Sequence, residues 1–199
     1  MPYRKHLNKD RVLKVLFKKH GLYTLEIKKN ILLSVCQTVI GQQLSTKVAR
    51  VIFERFLTLF NTSNPKATDI LAIPNEVLRG IGLSNAKANY VKNVCDFFIE
   101  NKLTDAKLHK LSNEQLFDLL TQIKGIGRWT VEMILMFTMG REDIFSPGDL
   151  GIQKAMIELY EIEYNHSKEL TQKMLYISQS WSPYRSYACL HLWRYLDNE

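Results

Sequence analysis

The sequence is poor in the features that mark several large classes of protein. Three cysteines, Cys36, Cys95 and Cys189, lie far apart in 199 residues. With no close pair among them, neither a zinc site nor a four-cysteine iron–sulfur cluster is expected, and free thiols in a reducing, cytoplasmic or nuclear setting fit better than a disulfide framework. The longest mostly apolar run, Ile31 to Ile40, is broken by Ser34, Gln37 and Thr38. It reaches about half the length a bilayer requires, so no membrane partner is expected. No apolar signal core follows the charged start Met1-Pro2-Tyr3-Arg4-Lys5-His6. Sustained period-two alternation is lacking, which argues against β-sheet, and no low-complexity linker divides the chain.

What the chain does have is positive charge and helical periodicity. Lysine and arginine number 27 against 20 acidic residues, a formal charge of +7. A polyanion such as nucleic acid is a natural partner for that balance, although charge alone does not select one. Apolar residues recur at helical spacing in Val12, Leu13, Leu16 and Phe17, and again in Val48, Val51, Ile52, Phe56 and Leu59. The expected fold is all-α, with helices near 9–19, 29–40, 45–60, 84–100, 112–122, 128–139, 149–161, 167–180 and 183–197. The chain reads as one domain, 1–199, in which any two lobes must pack directly. Ser112-Asn113-Glu114-Gln115 has the form of a capping box, and Ser182-Pro183 that of an N-cap followed by proline at the first helical position.

Two segments carry the chemistry. In the first, Thr121-Gln122-Ile123-Lys124-Gly125-Ile126-Gly127-Arg128-Trp129-Thr130, two glycines separate the end of one helix from the start of the next. A new helix exposes backbone N–H groups at its positive dipole end, and glycines let an anion approach them closely. Lys124 and Arg128 would add charge. Such a contact holds a phosphate without reading sequence; the plain alternative is a tight αα-turn with Ile126 plugged into the core. A similar Arg79-Gly80-Ile81-Gly82 precedes another helix 45 residues earlier, so the chain has two candidate hairpins. The second segment is Ser146-Pro147-Gly148-Asp149-Leu150-Gly151. Asp149 there reads either as part of a capping box or as a functional carboxylate, and Gly148 and Gly151 suit the close approach of a sugar-phosphate backbone.

Taken in order, these motifs resemble the helix–hairpin–helix of the endonuclease III-like DNA glycosylase superfamily, the hairpin lying at about 112–139. The 20-residue separation of Trp129 and Asp149 is similar to that of the 3-methyladenine DNA glycosylase II family. Val39-Ile40-Gly41-Gln42-Gln43-Leu44-Ser45 and Trp181-Ser182-Pro183-Tyr184-Arg185-Ser186-Tyr187-Ala188 look like further family segments, so the resemblance runs from about Ile31 to Leu196. The N-terminal β-domain of some relatives is absent from it.

The resemblance implies an all-α fold of two helical lobes flanking a cleft, and a monofunctional DNA glycosylase that hydrolyses the N-glycosidic bond of alkylated purines in duplex DNA, in base excision repair. Asp149 would be the catalytic carboxylate. Trp129 would line the base pocket, where bifunctional relatives carry a lysine nucleophile one position after the Gly-x-Gly-x; Lys124 and Lys154 do not match that lysine. Met133, Gln42, Gln43, Trp181 and Tyr184 are the other pocket candidates, the glutamines reading equally as caps or helix–helix contacts. The DNA-binding set is Lys124, Gly125, Ile126, Gly127, Arg128, Thr130, Gly151 and Arg185, with Leu83, Asn85 and Lys87 around the wedge that fills the gap left by a flipped base. No cofactor is required; a structural sodium or potassium ion on the backbone carbonyls of Thr121, Ile123 and Ile126 is implied, and a monomer is expected. The rival readings are a non-catalytic helix–hairpin–helix DNA-binding protein and a glycosylase/lyase with a different lysine.

Overall fold

Short polar residues start most of the helices by accepting the first free backbone N–H groups. In the computed structural model, which describes residues 1–197, every regular element is a helix. They are α1 (Pro2–Leu7), α2 (Arg11–His20), α3 (Ile31–Gly41), α4 (Thr46–Leu57), α5 (Ala67–Leu71), α6 (Asn75–Gly80) and α7 (Asn85–Glu100). The remainder are α8 (Asp105–His109), α9 (Asn113–Leu120), α10 (Arg128–Phe137), α11 (Leu150–Leu159), α12 (Ser167–Gln179) and α13 (Arg185–Asp197). The Ser112 capping box forms as read, with Ser112 Oγ accepting from Gln115 N and Gln115 Oε1 accepting from Ser112 N. The other proposed cap does not. α13 begins only at Arg185; Ser182 instead donates its hydroxyl to Asp143 Oδ2, and the Arg185 and Ser186 N–H groups donate to Asp143 Oδ1 and Glu142 O. A carboxylate and a carbonyl from a distant loop thus take the cap's place.

The chain divides into two compact units. One comprises Met1–Glu26 together with the segment from Gly140 onward; the other is Ile27–Met139. In the first, α13 packs on α2 and α11. Asp10 organises this unit: one carboxylate oxygen caps α2 through Val12 N and Leu13 N, and the other accepts from Tyr160 Oη and Trp181 Nε1, both at 2.9 Å. Burial, with Asp10 beside it, pushes the Tyr160 phenol pKa up. His191 is wholly buried among Phe17, Tyr23 and His20, and neither of its ring nitrogens has a hydrogen-bond partner among the described residues. Burial, reinforced by His20, brings its pKa down to about 4.

In the second unit α7 is the central post, touching α3, α5 and α6, while α10 packs on α3 and α9. The buried faces of α3 and α7, Ile31, Val35, Val39 and Ile40 against Ala88, Val91, Val94 and Phe98, are the apolar stripes expected of helices packed side by side. Asp105 caps α3 from the start of α8, accepting from Asn30 N and Ile31 N at 2.8 and 3.0 Å. No described helix is long and apolar enough to cross a membrane.

Candidate active site and nucleic-acid interface

The hairpin lies wholly in the second unit. α9 ends at Leu120, Gly125 turns the chain with φ +103°, Ile126 is buried beneath the turn, and Gly127 begins α10 as an N-cap that brings no side-chain acceptor. Gly125 is required twice over. Its φ lies in the left-handed region, and a Cβ there would sit 2.2 Å from Cγ of the Tyr90 ring, closer than non-bonded atoms can approach.

The sequence echo is real but its register is different. In the earlier turn Gly80 is the last residue of α6, Gly82 takes the positive φ of +109°, Leu83 is buried, and Ser84 caps α7. Gly82 therefore corresponds to Gly125, Leu83 to Ile126 and Ser84 to Gly127. The separation is 43 residues (82 to 125), against the 45 obtained by matching glycine to glycine.

Between the two turns the same unit holds a pocket of about 410 Å³. Gln42, Gln43, Lys87, Trp129 and Thr130 line it, together with Ser84, Ala86 and Tyr90. Five sequence candidates thus come together. Gln42 locks the parts to one another: its side-chain amide donates to Gly125 O and Thr130 Oγ1, each at 3.0 Å, and its own carbonyl accepts from Lys87 Nζ at 2.5 Å. Lys87 also donates to Ile40 O at 2.9 Å, so its ammonium closes the carbonyl end of α3, and burial lowers its pKa. Gln43, next along, is exposed and holds a left-handed φ of +57°. Trp129 is 39% exposed at the pocket rim. Hollows of similar or larger size beside α5 and beside α12 hold none of the sequence candidates.

Asp149 belongs to the first unit. It is the N-cap of α11, and its Oδ1 accepts from Ile152 N at 2.9 Å and from Trp193 Nε1 at 2.8 Å. The capping reading is thus correct in kind, though the carboxylate is itself the cap and not the fourth residue of a box begun at Ser146. Two donors from different helices fix one carboxylate oxygen. Gly151 serves this arrangement: a Cβ there would meet Trp193 Cδ1 at 3.1 Å and Asp149 Oδ1 at 3.2 Å, so glycine makes room for the indole.

Several candidates take other positions. Trp181 is fully buried, with its indole N–H committed to Asp10, so it is a core residue of the first unit and no wall of a base pocket. Leu83 is 5% exposed, packed under its turn where a wedge would have to stand clear; Asn85 beside it is exposed. Arg185 closes a two-point pair with Asp143, Nε to Oδ1 at 2.6 Å and Nη2 to Oδ2 at 2.8 Å. Burial opposes it, yet the hydrogen bonds from Arg185 and Ser182 hold the Asp143 carboxyl below its ordinary pKa. Met133 is buried in α10, and Tyr184 is half-buried in a T-shaped contact with the His6 ring. Lys124 is exposed, while its carbonyl accepts from Asn93 Nδ2. The cysteines are buried free thiols. No group of three His, Cys, Asp or Glu side chains able to hold a metal occurs among the described residues.

Reasoning from sequence missed Tyr90 and Trp193. Tyr90 falls on the same face of α7 as Lys87, three residues on, a spacing that was available. Trp193 lies 44 residues from Asp149, and no local pattern links them.

An all-helical chain with a glycine hairpin entering one helix and a capping aspartate entering the next belongs, by architecture, to the helix–hairpin–helix class. The comparisons agree. Residues 36–179 match the HhH-GPD superfamily base excision DNA repair protein family. DNA-3-methyladenine glycosylase 1 of Schizosaccharomyces pombe is 35% identical over 160 residues, covering 79% of this chain and 69% of that protein. YfjP of Bacillus subtilis is 30% identical over 191 residues, 93% of this chain and 66% of its own length; the chain thus spans about two thirds of these relatives. Among solved structures, S. pombe 3-methyladenine DNA glycosylase in complex with abasic DNA superposes with a TM-score of 0.87 at 32% identity, covering 98% of this chain and 96% of the other. The DNA-3-methyladenine glycosidase of Bacillus halodurans gives 0.82 at 33%, covering 98% and 88%. The chain is a member of the HhH-GPD superfamily of base excision DNA repair proteins.

Proposed function

We propose that this protein is a monofunctional DNA glycosylase that releases alkylated purines of the 3-methyladenine and 7-methylguanine type from duplex DNA. The observation that carries this reading is Asp149, its Oδ1 held by the Ile152 and Trp193 N–H groups, in a member of a base-excision family whose relatives are named for that activity. An alkylated purine carries positive charge and leaves readily. The C1′–N bond breaks with its electron pair moving to the purine, and the sugar becomes an oxocarbenium-like cation. A fixed carboxylate stabilises that cation and takes the proton of the water that adds to C1′. Trp129 stands where a lysine would be needed for a Schiff base, so the strand itself stays intact.

On the DNA-binding side, the reading assigns one backbone phosphate to the Gly125–Gly127 turn and a flipped base to the rim at Trp129, whose indole face attracts a cationic purine. Among the carbonyls suited to a monovalent cation, that of Ile123 accepts Ile126 N–H at 2.9 Å, which leaves it a second lone pair for sodium or potassium. Binding without chemistry is the second reading, favoured by the fact that Asp149 also caps α11.

Asparagine caps as well as aspartate. Asp149→Asn therefore separates the two. Free methylpurine released from methylated duplex DNA should fall by about 10² to 10⁴ in the variant, with DNA binding retained. With the wild type, strand breaks should appear only after alkali treatment, at the abasic sites it leaves. Equal release by both proteins removes Asp149 from the mechanism, and release by neither, with binding by both, establishes the binding module.

A further inference from the structure

Between Trp129 and Gly140 the sequence holds a single charged residue, Glu132. Its neighbours Val131, Met133 and Ile134 are buried, and its own side chain is 2% exposed. A carboxylate taken this far from water is costly unless it is paired, and an aliphatic residue would serve the core better. One partner lies one turn back, where Arg128 Nε donates to Glu132 Oε1 at 3.1 Å. The Arg128 guanidinium also lies 4.4 Å over the ring of Phe117, so α9 and α10 together grip one arginine.

The grip is partial in an informative way. Arg185 turns both its Nε and an Nη onto Asp143. Arg128 gives Glu132 its Nε, its side chain is 71% exposed, and its terminal nitrogens donate to nothing among the described residues. A counter-ion is best placed with its forked edge on the carboxylate; here the fork is held outward on a flat aromatic support. We propose that Glu132 and Phe117 are positioning residues that set Arg128 as a ready-made donor to one backbone phosphate of duplex DNA beside the hairpin. This rests on the DNA-binding part of the function proposed above.

The test measures affinity for a duplex carrying a stable abasic-site analogue as salt is raised from about 50 to 200 mM. Arg128→Ala should lower the slope of log K against log salt by about 1 and raise KM more than it lowers the single-turnover rate. Glu132→Gln gives a discriminating sign. It removes a negative charge, so a mere counter-ion pair predicts tighter DNA binding in the variant, whereas a positioning role predicts weaker binding that is not worsened further in Arg128→Ala/Glu132→Gln. If Glu132→Gln does not fold, Phe117→Leu replaces it: affinity should fall severalfold, and that loss should vanish in the Arg128→Ala background. An unchanged slope in Arg128→Ala, or tighter binding by Glu132→Gln, overturns the inference while leaving the proposed function standing. Absence of salt-dependent binding by the wild type overturns the DNA reading itself.

Discussion

The turns at Gly82 and Gly125 follow one backbone plan and finish it differently. Each has a glycine at positive φ, a buried aliphatic residue after it and an N-cap before the next helix. The earlier turn closes on itself: Ser84 Oγ accepts from Lys87 N, and the space where a Gly82 Cβ would lie meets Ile52 only at 3.5 Å. The later turn brings no capping side chain and is pressed against the Tyr90 ring. One turn is a connector that brings its own capping side chain. The other lies against an aromatic ring and receives no acceptor from its own cap, which suits the anion-binding role proposed for it.

The largest effect should come from Gly125→Ala, where backbone strain and overlap with Tyr90 add to a loss of about 2 to 5 kcal/mol in denaturant unfolding. Combining it with Tyr90→Ala should recover the steric part alone. Acid offers a perturbation that touches neither turn. His191 is neutral in the folded protein, with a pKa near 4 against an ordinary 6.5. The unfolded chain takes up a proton that the fold refuses, so stability is full above about pH 6.5 and falls by up to about 3 kcal/mol as pH drops toward 4. That acid loss should be the same in both glycine variants, and an unequal loss would show that the turns are coupled to the other unit. Gly82→Ala, with strain but no overlap, should cost about 1 to 2 kcal/mol and weaken DNA binding less than Gly125→Ala. The smallest change in stability should be the sharpest functionally. Gly127 has no positive φ and open space around its missing Cβ. Gly127→Ser should therefore gain a few tenths of a kcal/mol by capping α10, yet bind DNA less tightly because its hydroxyl now occupies the donors. Tighter binding by that variant would end the comparison as drawn.

The long helices were legible because each repeats its apolar stripe over two or more turns, as α4 and α7 do. α1, α5, α6 and α8 were not, since five or six residues hold too little periodicity to be seen. Sequence spacing likewise found the hairpin turn and the cap at Asp149, whose signals are local. It put Trp181 at a pocket and kept Leu83 beside Asn85 as a wedge candidate because a motif records residue type and order, whereas burial is decided by what other segments bring: Asp10, 171 residues from Trp181, settles that indole's partner. The echo was real, and its 45-residue register failed for a related reason. Glycines serve as helix ends, caps and turns alike, and only the backbone shows which is which.

The bond from Trp193 to Asp149 also gives the protein an optical reporter. Indole emission depends on the charge and polarity of its hydrogen-bond acceptor, and here the acceptor is the carboxylate assigned to the chemistry. A second indole, Trp181, donates to Asp10 within the core and supplies a constant background, while Trp129 sits on the hairpin. Difference spectra between the wild type and Asp149→Asn would isolate the Trp193 signal. Events at the carboxylate would then be followed in real time in unlabelled protein, on undamaged DNA as well as on substrate.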